Sequence, residues 1–303
     1  MKRISAFWRV VLVMVAIGGV LTLGGLALGA EAGGLYINRD GVHLYSSERI
    51  VVNYNNTESF SEIIIQGTSG HIEVVEGATF GFSLDVNEMS NADYSLQNGV
   101  LEIDIRRDGT STFMFGLFSG VATARDRVVV TVPFGTPLEY VNIRNTSGRV
   151  DIGGISAEQF IVNMTSGNLS INNASASVMN LRAVSGNAHL SSVSAGSLHV
   201  TMTSGRLSGE NLRTSHMTAL LTSGRVNLSG DIRGNTSITT TSGSVDLRLA
   251  GSEAEFNRSF HATSGRVRID GRNVGAHTAH SGQASNSLTV RVTSGNIDVR
   301  FGQ

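Results

Sequence analysis

From Val141 to the C-terminus one phrase returns at a fixed distance, and that distance is what most restricts the fold. Thr146-Ser147-Gly148 recurs as Thr165-Ser166-Gly167, Val184-Ser185-Gly186, Thr203-Ser204-Gly205, Thr222-Ser223-Gly224 and Thr241-Ser242-Gly243, each glycine 19 residues after the last. Thr263-Ser264-Gly265 follows after 22 residues and Thr293-Ser294-Gly295 after 30, with His280-Ser281-Gly282 as a degenerate copy between them. A period of this length, kept through five successive intervals, marks a solenoid. In such a fold each repeat is one turn of the chain and buries its apolar side only against its neighbours.

With each glycine as zero, positions −7, −5, −3, +2 and +4 are mostly apolar, which is strand alternation on both sides of a turn. One coil reads Phe160, Val162, Met164, Leu169, Ile171; the C-terminal one reads Leu288, Val290, Val292, Ile297, Val299. The turn glycines Gly148, Gly167, Gly186, Gly205, Gly224, Gly243, Gly265 and Gly295 are expected at corners with positive φ, which a residue carrying Cβ adopts only at a cost. The fold class is therefore all-β, a parallel β-solenoid with coils of about 19 residues. Eight such coils at about 4.8 Å each make a rod on the order of 40 Å long.

Thr68-Ser69-Gly70, flanked by Ile63, Ile65, Ile72 and Val74, reproduces the pattern once, 78 residues ahead of the main array. It reads as a first coil, Gly70 being its turn glycine, cut off from the rest by an insertion. Phe80 to Val86, Leu101 to Ile105 and Val128 to Val132 read as strands within the insertion, and Asn98-Gly99 as a hairpin turn. The insertion is expected to cover the N-terminal end of the rod, because an open terminal coil is an unpaired edge. Its most apolar stretch holds Phe113, Met114, Phe115, Leu117 and Phe118. That stretch is either an exposed contact loop or a plug over the first coil.

Lys2, Arg3 and Arg9 precede a run without charge from Val10 to Ala30. Within it Val10 to Leu28 is almost wholly apolar, and as a helix would span about 28 Å, close to the roughly 30 Å hydrocarbon core. An uncleaved transmembrane helix is favoured over a signal peptide, despite the small-residue site at Ala30-Glu31-Ala32, because a signal's apolar core is about 7 to 15 residues. The basic flank would stay in the cytoplasm and the rest would be exported. The expected organisation is thus a cytoplasmic flank over 1–9, a transmembrane helix over 10–30, a linker over 31–59, a first coil with a β-rich cap over 60–140, and the solenoid over 141–303.

Composition excludes several classes of function. A formal net charge of −1 gives no general field to hold nucleic acid. With no cysteine there is no disulfide, thiolate metal site or cysteine nucleophile. No phosphate loop or dinucleotide fingerprint occurs, and no cofactor is expected. Position +3 carries Asp151, Ser170, His189, Ser208, Asn227, Asp246, Arg268 and Asp298; no two neighbouring coils present a carboxylate pair there, so acid/base hydrolysis has no evident site. His277 and His280 lie three apart without a nearby acid in sequence, which is a weak metal signal, and no metal site or catalytic residue is assigned. The suggestive column follows each turn glycine: Arg149, Asn168, Asn187, Arg206, Arg225, Ser244, Arg266 and Asn296. Stacked outward, it would form a stripe of guanidinium and amide donors suited to anionic glycans or wall phosphates, or it merely keeps the corner soluble.

The segment from Val128 to Leu138, with its Val-Pro-x-Gly-Thr-x-Leu ending, followed by Val141-Asn142-Ile143 and Thr146-Ser147-Gly148-Arg149-Val150-Asp151-Ile152, resembles a bacterial family known mainly by its repeats. It is the putative adhesin family, also called domain of unknown function 4097. The resemblance covers roughly Ile50 to Gln303, and Gly41-Val42-His43 is also similar to anchored members. What it implies is a membrane-attached cell-surface β-solenoid; it supplies no catalytic or binding residue. The expected function is a non-enzymatic adhesin or envelope-binding module, its partners being the membrane and a wall or surface polysaccharide. The alternatives are an accessory of envelope-stress signalling with a membrane-protein partner, and a glycan-active enzyme.

Overall fold

The computed structural model describes residues 6–27, 35–38, 41–44, 49–87, 91–106 and 125–302. The chain divides into two units, one of residues 1–48 and 108–124, the other of residues 49–107 and 125–303. In the first, Ala6–Ala27 is an α-helix, and Leu35–Asn38 pairs antiparallel with Gly41–Leu44. Apolar side chains are exposed along this helix from Phe7 to Leu23. Among the described residues no helix is long and apolar enough to cross a membrane. The apolar loop with Phe113, Met114, Phe115, Leu117 and Phe118 lies outside the described residues, as does the Ala30-Glu31-Ala32 site.

The second unit is the solenoid. Each coil has two strand limbs joined at the Thr-Ser-Gly corner, and residue i pairs in parallel with residue i+19: Phe160 with Met179 and Leu169 with Ala188, for example. The inward positions are buried as the alternation predicts, Phe160, Val162, Ile171, Leu190 and Leu198 at zero exposure. A further apolar column, Ile155, Ala174, Val193 and Leu212, closes the core on the side away from the glycines. It belongs to a second corner, where Gly154, Asn173, Ser192 and Asn211 all have positive φ at the same spacing.

At the first corner a positive φ is only half the requirement. A Cβ on Gly205 would overlap the carbonyl oxygen of Gly186, one on Gly186 that of Gly167, and so on down the column. The same carbonyls accept from the residue after the next glycine: Arg149 N–H reaches Gly70 O at 2.9 Å and Asn168 N–H reaches Gly148 O at 3.0 Å. Side-chain-free backbones thus stack at hydrogen-bond distance, leaving no volume for a methyl group.

Spatial order departs from chain order at both ends. The strands Glu62–Gly67 and His71–Gly77 of the Gly70 coil pair on one side with Pro137–Asn145 and Arg149–Gly153. On the other side they pair in parallel with Val100–Arg106 and Arg127–Pro133. The insertion therefore contributes an outer coil of its own, with Asp126 in the place of the corner glycine. Gly70 packs against its carbonyl, and its carboxylate accepts from Asn87 N–H at 2.9 Å. Antiparallel strands finish this end: Asn91–Gln97 on Val100–Arg106, through a turn with positive φ at Asn98 and Gly99, and Gly81–Asn87 followed by Arg49–Asn55 on the other sheet.

The C-terminal end is arranged the same way. The Gly243 coil pairs with the Gly295 coil, Asn286–Ser294 and Ile297–Phe301. That coil in turn pairs with the Gly265 coil, Phe256–Ser264 and Val267–Ile269, although the latter precedes it in sequence. Arg272–Gly275 and His277–His280 then cover the end antiparallel. His280-Ser281-Gly282 is accordingly not a corner. It is the exit of an edge strand, and Gly282 N–H donates to Asn257 Oδ1 at 2.6 Å. To the eight coils of the array and the Gly70 coil expected from the sequence, the structure adds one more, the Asp126 coil, or about 5 Å.

The crossover into the end coil is tied down by charge. Arg233 bonds Asp231 Oδ1 and Glu255 Oε2, both at 2.5 Å, and lies 5.8 Å from the ring centre of Phe256. The Ser252 backbone N–H, the Arg233 guanidinium and the Ser252 hydroxyl hold the Glu255 carboxyl down to about 2.

Two measurements check this account. Gly135 has positive φ but open space around its would-be Cβ, so Gly135→Ala should cost only about 1 kcal/mol. Gly205→Ala adds the overlap with Gly186 and should cost about 3 kcal/mol or more by denaturant unfolding; equal costs would show that φ alone matters. For Glu255 the folded carboxyl lies below its ordinary value of 4.5, so its contribution is full above that value and is lost as pH falls toward 2. Wild type should therefore melt above Glu255→Gln at pH 7, and the gap should close on acidification; a gap independent of pH would contradict the pairing.

Candidate functional site

Both flanks of the Thr-Ser-Gly corner are candidate surfaces. On the second-limb flank the stripe read from the sequence exists as a column, in the spatial order Arg127, His71, Arg149, Asn168, Asn187, Arg206, Arg225, Ser244, Asn296, Arg266. Its members do different things. Arg149 Nε bonds Asp151 Oδ2 at 2.5 Å, and His71 Nε2 reaches the same oxygen at 2.5 Å. The Asp151 carboxylate pushes the Arg149 guanidinium further up from its ordinary value. Arg127 bonds Glu73 at 2.7 Å. Asn187 Nδ2 donates to Asn168 Oδ1 at 3.0 Å. Asn296 Oδ1 accepts from Arg266 N–H at 3.1 Å. Among the described residues, Arg206 and Arg225 have no carboxylate partner. They edge a shallow trough completed by Asn187, Ser223, Ser242 and Ser244.

The first-limb flank carries a groove that the sequence reading missed. Positions −4, −3 and −2 of five adjacent coils, from the Gly70 coil to the Gly205 coil, line a space of about 510 Å³. One wall is Gln66, Arg144, Asn163, Arg182 and Thr201, and the other is the hydroxyl row Thr68, Thr146, Thr165 and Thr203, interrupted by Val184. The floor is where the apolar column fails. Position −3 is Gly67 in one coil and Asn145 in the next, ahead of Met164 and Ala183.

Asn145 is only 3% exposed, yet neither its Oδ1 nor its Nδ2 has a hydrogen-bond partner. Gly67 makes the room, since a Cβ there would come within 3.1 Å of Asn145 Oδ1. A buried carboxamide left without partners costs about 1–3 kcal/mol, and such groups are usually satisfied by water or a ligand. Arg144 and Arg182 are exposed and form no ion pair among the described residues. They sit two coils apart, about 10 Å. The signal for this groove was present as an Asn at a position mostly apolar, but its partner Gly67 lies 78 residues upstream.

Taken in chain order from Asp151 onward, column +3 has no neighbouring acids, but the Gly70 coil sets Glu73 beside Asp151 and the interleaved C-terminal end sets Asp246 beside Asp298. Like charges this close repel. Here each acid has a cationic neighbour: Arg127 for Glu73, Arg149 for Asp151, Arg248 at 3.8 Å for Asp246 and Arg300 at 3.4 Å for Asp298. The pairs are thus built into charge-balanced ladders on an outer sheet face. Neither is set as a free acid facing a free base, the arrangement that hydrolysis requires. Among the described residues no three His, Asp or Glu are grouped as metal ligands.

Comparison with solved structures places the fold. A putative adhesin from Bacteroides fragilis aligns over 84% of this chain and 98% of its own, with a TM-score of 0.51 at 14% identity. A putative adhesin from Parabacteroides merdae aligns over 84% and 97%, with a TM-score of 0.48 at 12% identity. A putative lipid binding protein from Parabacteroides distasonis aligns over 84% and 97%, with a TM-score of 0.38 at 9% identity. No curated protein matches this chain. The Toastrack DUF4097 family profile matches residues 60–300, from the Gly70 coil through the interleaved C-terminal end, and the chain belongs to that family.

Proposed function

We propose that the chain is a non-enzymatic, membrane-anchored module outside the cytoplasm that binds an anionic, hydroxyl-rich polymer of the cell envelope along the groove beside its Thr-Ser-Gly corner. One observation carries the reading: two exposed arginines without ion pairs among the described residues stand on one wall of a groove whose floor holds a buried carboxamide without partners. Guanidinium groups suit carboxylate and phosphate, and the Thr row and Asn145 suit hydroxyl groups. The repeat spacing favours an extended, regularly charged chain over a compact ligand. The anchor reading rests on the helix Ala6–Ala27 and on a sequence that stays free of charge from Val10 to Ala30 behind a basic flank.

A membrane-protein partner, as in a signalling accessory, is the second reading. It is favoured by the edge strand Arg49–Asn55, which exposes Ile50, Val51 and Tyr54. Exposed apolar edges of this kind pair readily with another chain.

The test is binding of the full chain, in detergent, to an immobilised polyuronate and to a poly(glycerol phosphate). Salt-sensitive binding to either should weaken at least tenfold in the double substitution Arg144→Ser, Arg182→Ser. Asn145→Leu should weaken it without changing the salt dependence. Loss in Arg206→Ser, Arg225→Ser instead would move the site to the other flank of the corner. Recovery of one membrane protein, with no binding to either polymer, would overturn the glycan reading and support the second.

A further inference from the structure

The cap at the C-terminal end brings together two histidines that lie 16 residues apart in the chain. His277, on the edge strand His277–His280, stands directly opposite His261 on Phe256–Ser264. The neighbouring Ala262 N–H donates to Ala276 O at 2.8 Å. His261 and His277 are therefore a pair without mutual backbone hydrogen bonds, the kind in which facing side chains come closest. Both are exposed on the outer face of the sheet. Their rings are edge to face with centroids 5.4 Å apart, and their Nδ1 atoms are 3.4 Å apart.

That separation has a chemical meaning. Two nitrogens each about 2.0–2.1 Å from a tetrahedral zinc ion stand about 3.4 Å from one another. Imidazole is a good donor for zinc, copper and nickel. We propose that His261 and His277 form a two-imidazole chelate for a divalent late first-row metal ion, zinc being the best fit to the geometry. The remaining coordination positions face solvent, so the site holds a metal open to an outside ligand. It is not a closed structural centre. Arg291, opposite His261 on the next coil, adds an unfavourable positive charge and sets the site apart from a high-affinity one. Thr263 Oγ1, 3.4 Å from His261 Nε2, orients the ring through its other nitrogen, as outer partners of metal-bound histidines do.

The test is calorimetric titration of the full chain with zinc chloride. One equivalent should bind with micromolar affinity. His261→Ala and His277→Gln should each weaken it at least tenfold, while His280→Ala, on the opposite face of the same strand, and His71→Ala should leave it unchanged. Arg291→Ser should tighten it several-fold. Unchanged melting curves without metal would establish that the variants are folded. Absence of binding at millimolar zinc, or binding unaffected by either His261→Ala or His277→Gln, would overturn the chelate and leave the pair as an imidazole–imidazole hydrogen bond.

Discussion

The approach of one glycine backbone to the next governs this molecule. Each corner carbonyl is both the acceptor for the next coil and the wall its glycine must pass, so the 19-residue repeat cannot drift by a residue without driving a Cβ into it. Register along both limbs then follows, and with it the placement of every inward side chain. Where the stack ends the constraint lapses, and Asp126 occupies the glycine's place with its carboxylate turned to Asn87.

A column of stacked backbones creates the problem of its two ends. Both are solved alike: a coil from elsewhere in the chain is slotted into the second place, and antiparallel strands cover the outermost ladder. The N-terminal cover adds aromatic packing, with Phe82 against Tyr54 and Tyr94, whose hydroxyls lie 2.7 Å apart. At the other end Arg258 occupies a position that is mostly apolar in interior coils and pairs with Glu253 at 2.6 Å. The charge is tolerated there because the Glu253 carboxylate neutralises it.

How much of this could be read from the sequence depends on distance along the chain. Inward positions such as Val162 and Leu198 and the corner glycines were legible because alternation and turn chemistry are local. The spatial order of the coils was not, since a parallel strand carries no mark of which neighbour it will have. That is why Asp246 and Asp298, separated in sequence by the Gly265 coil, appeared unpaired and are adjacent. The second corner escaped notice because Gly154, Asn173, Ser192 and Asn211 share a backbone conformation and no residue type. The groove depends on Gly67 meeting Asn145, and nothing in either residue's own neighbourhood announces the other.

The interleaved C-terminal end also sets the order in which the molecule can be completed. The Gly295 coil lies between two coils that are synthesised before it, so a chain emerging residue by residue has the Gly243 and Gly265 coils in hand with a gap between them. Both must stay unsatisfied on the facing sides until residues 286–301 arrive. The ladder therefore closes late and all at once, as a keystone closes an arch, and chain order imposes a pause during which two open edges have to be kept from finding the wrong strand.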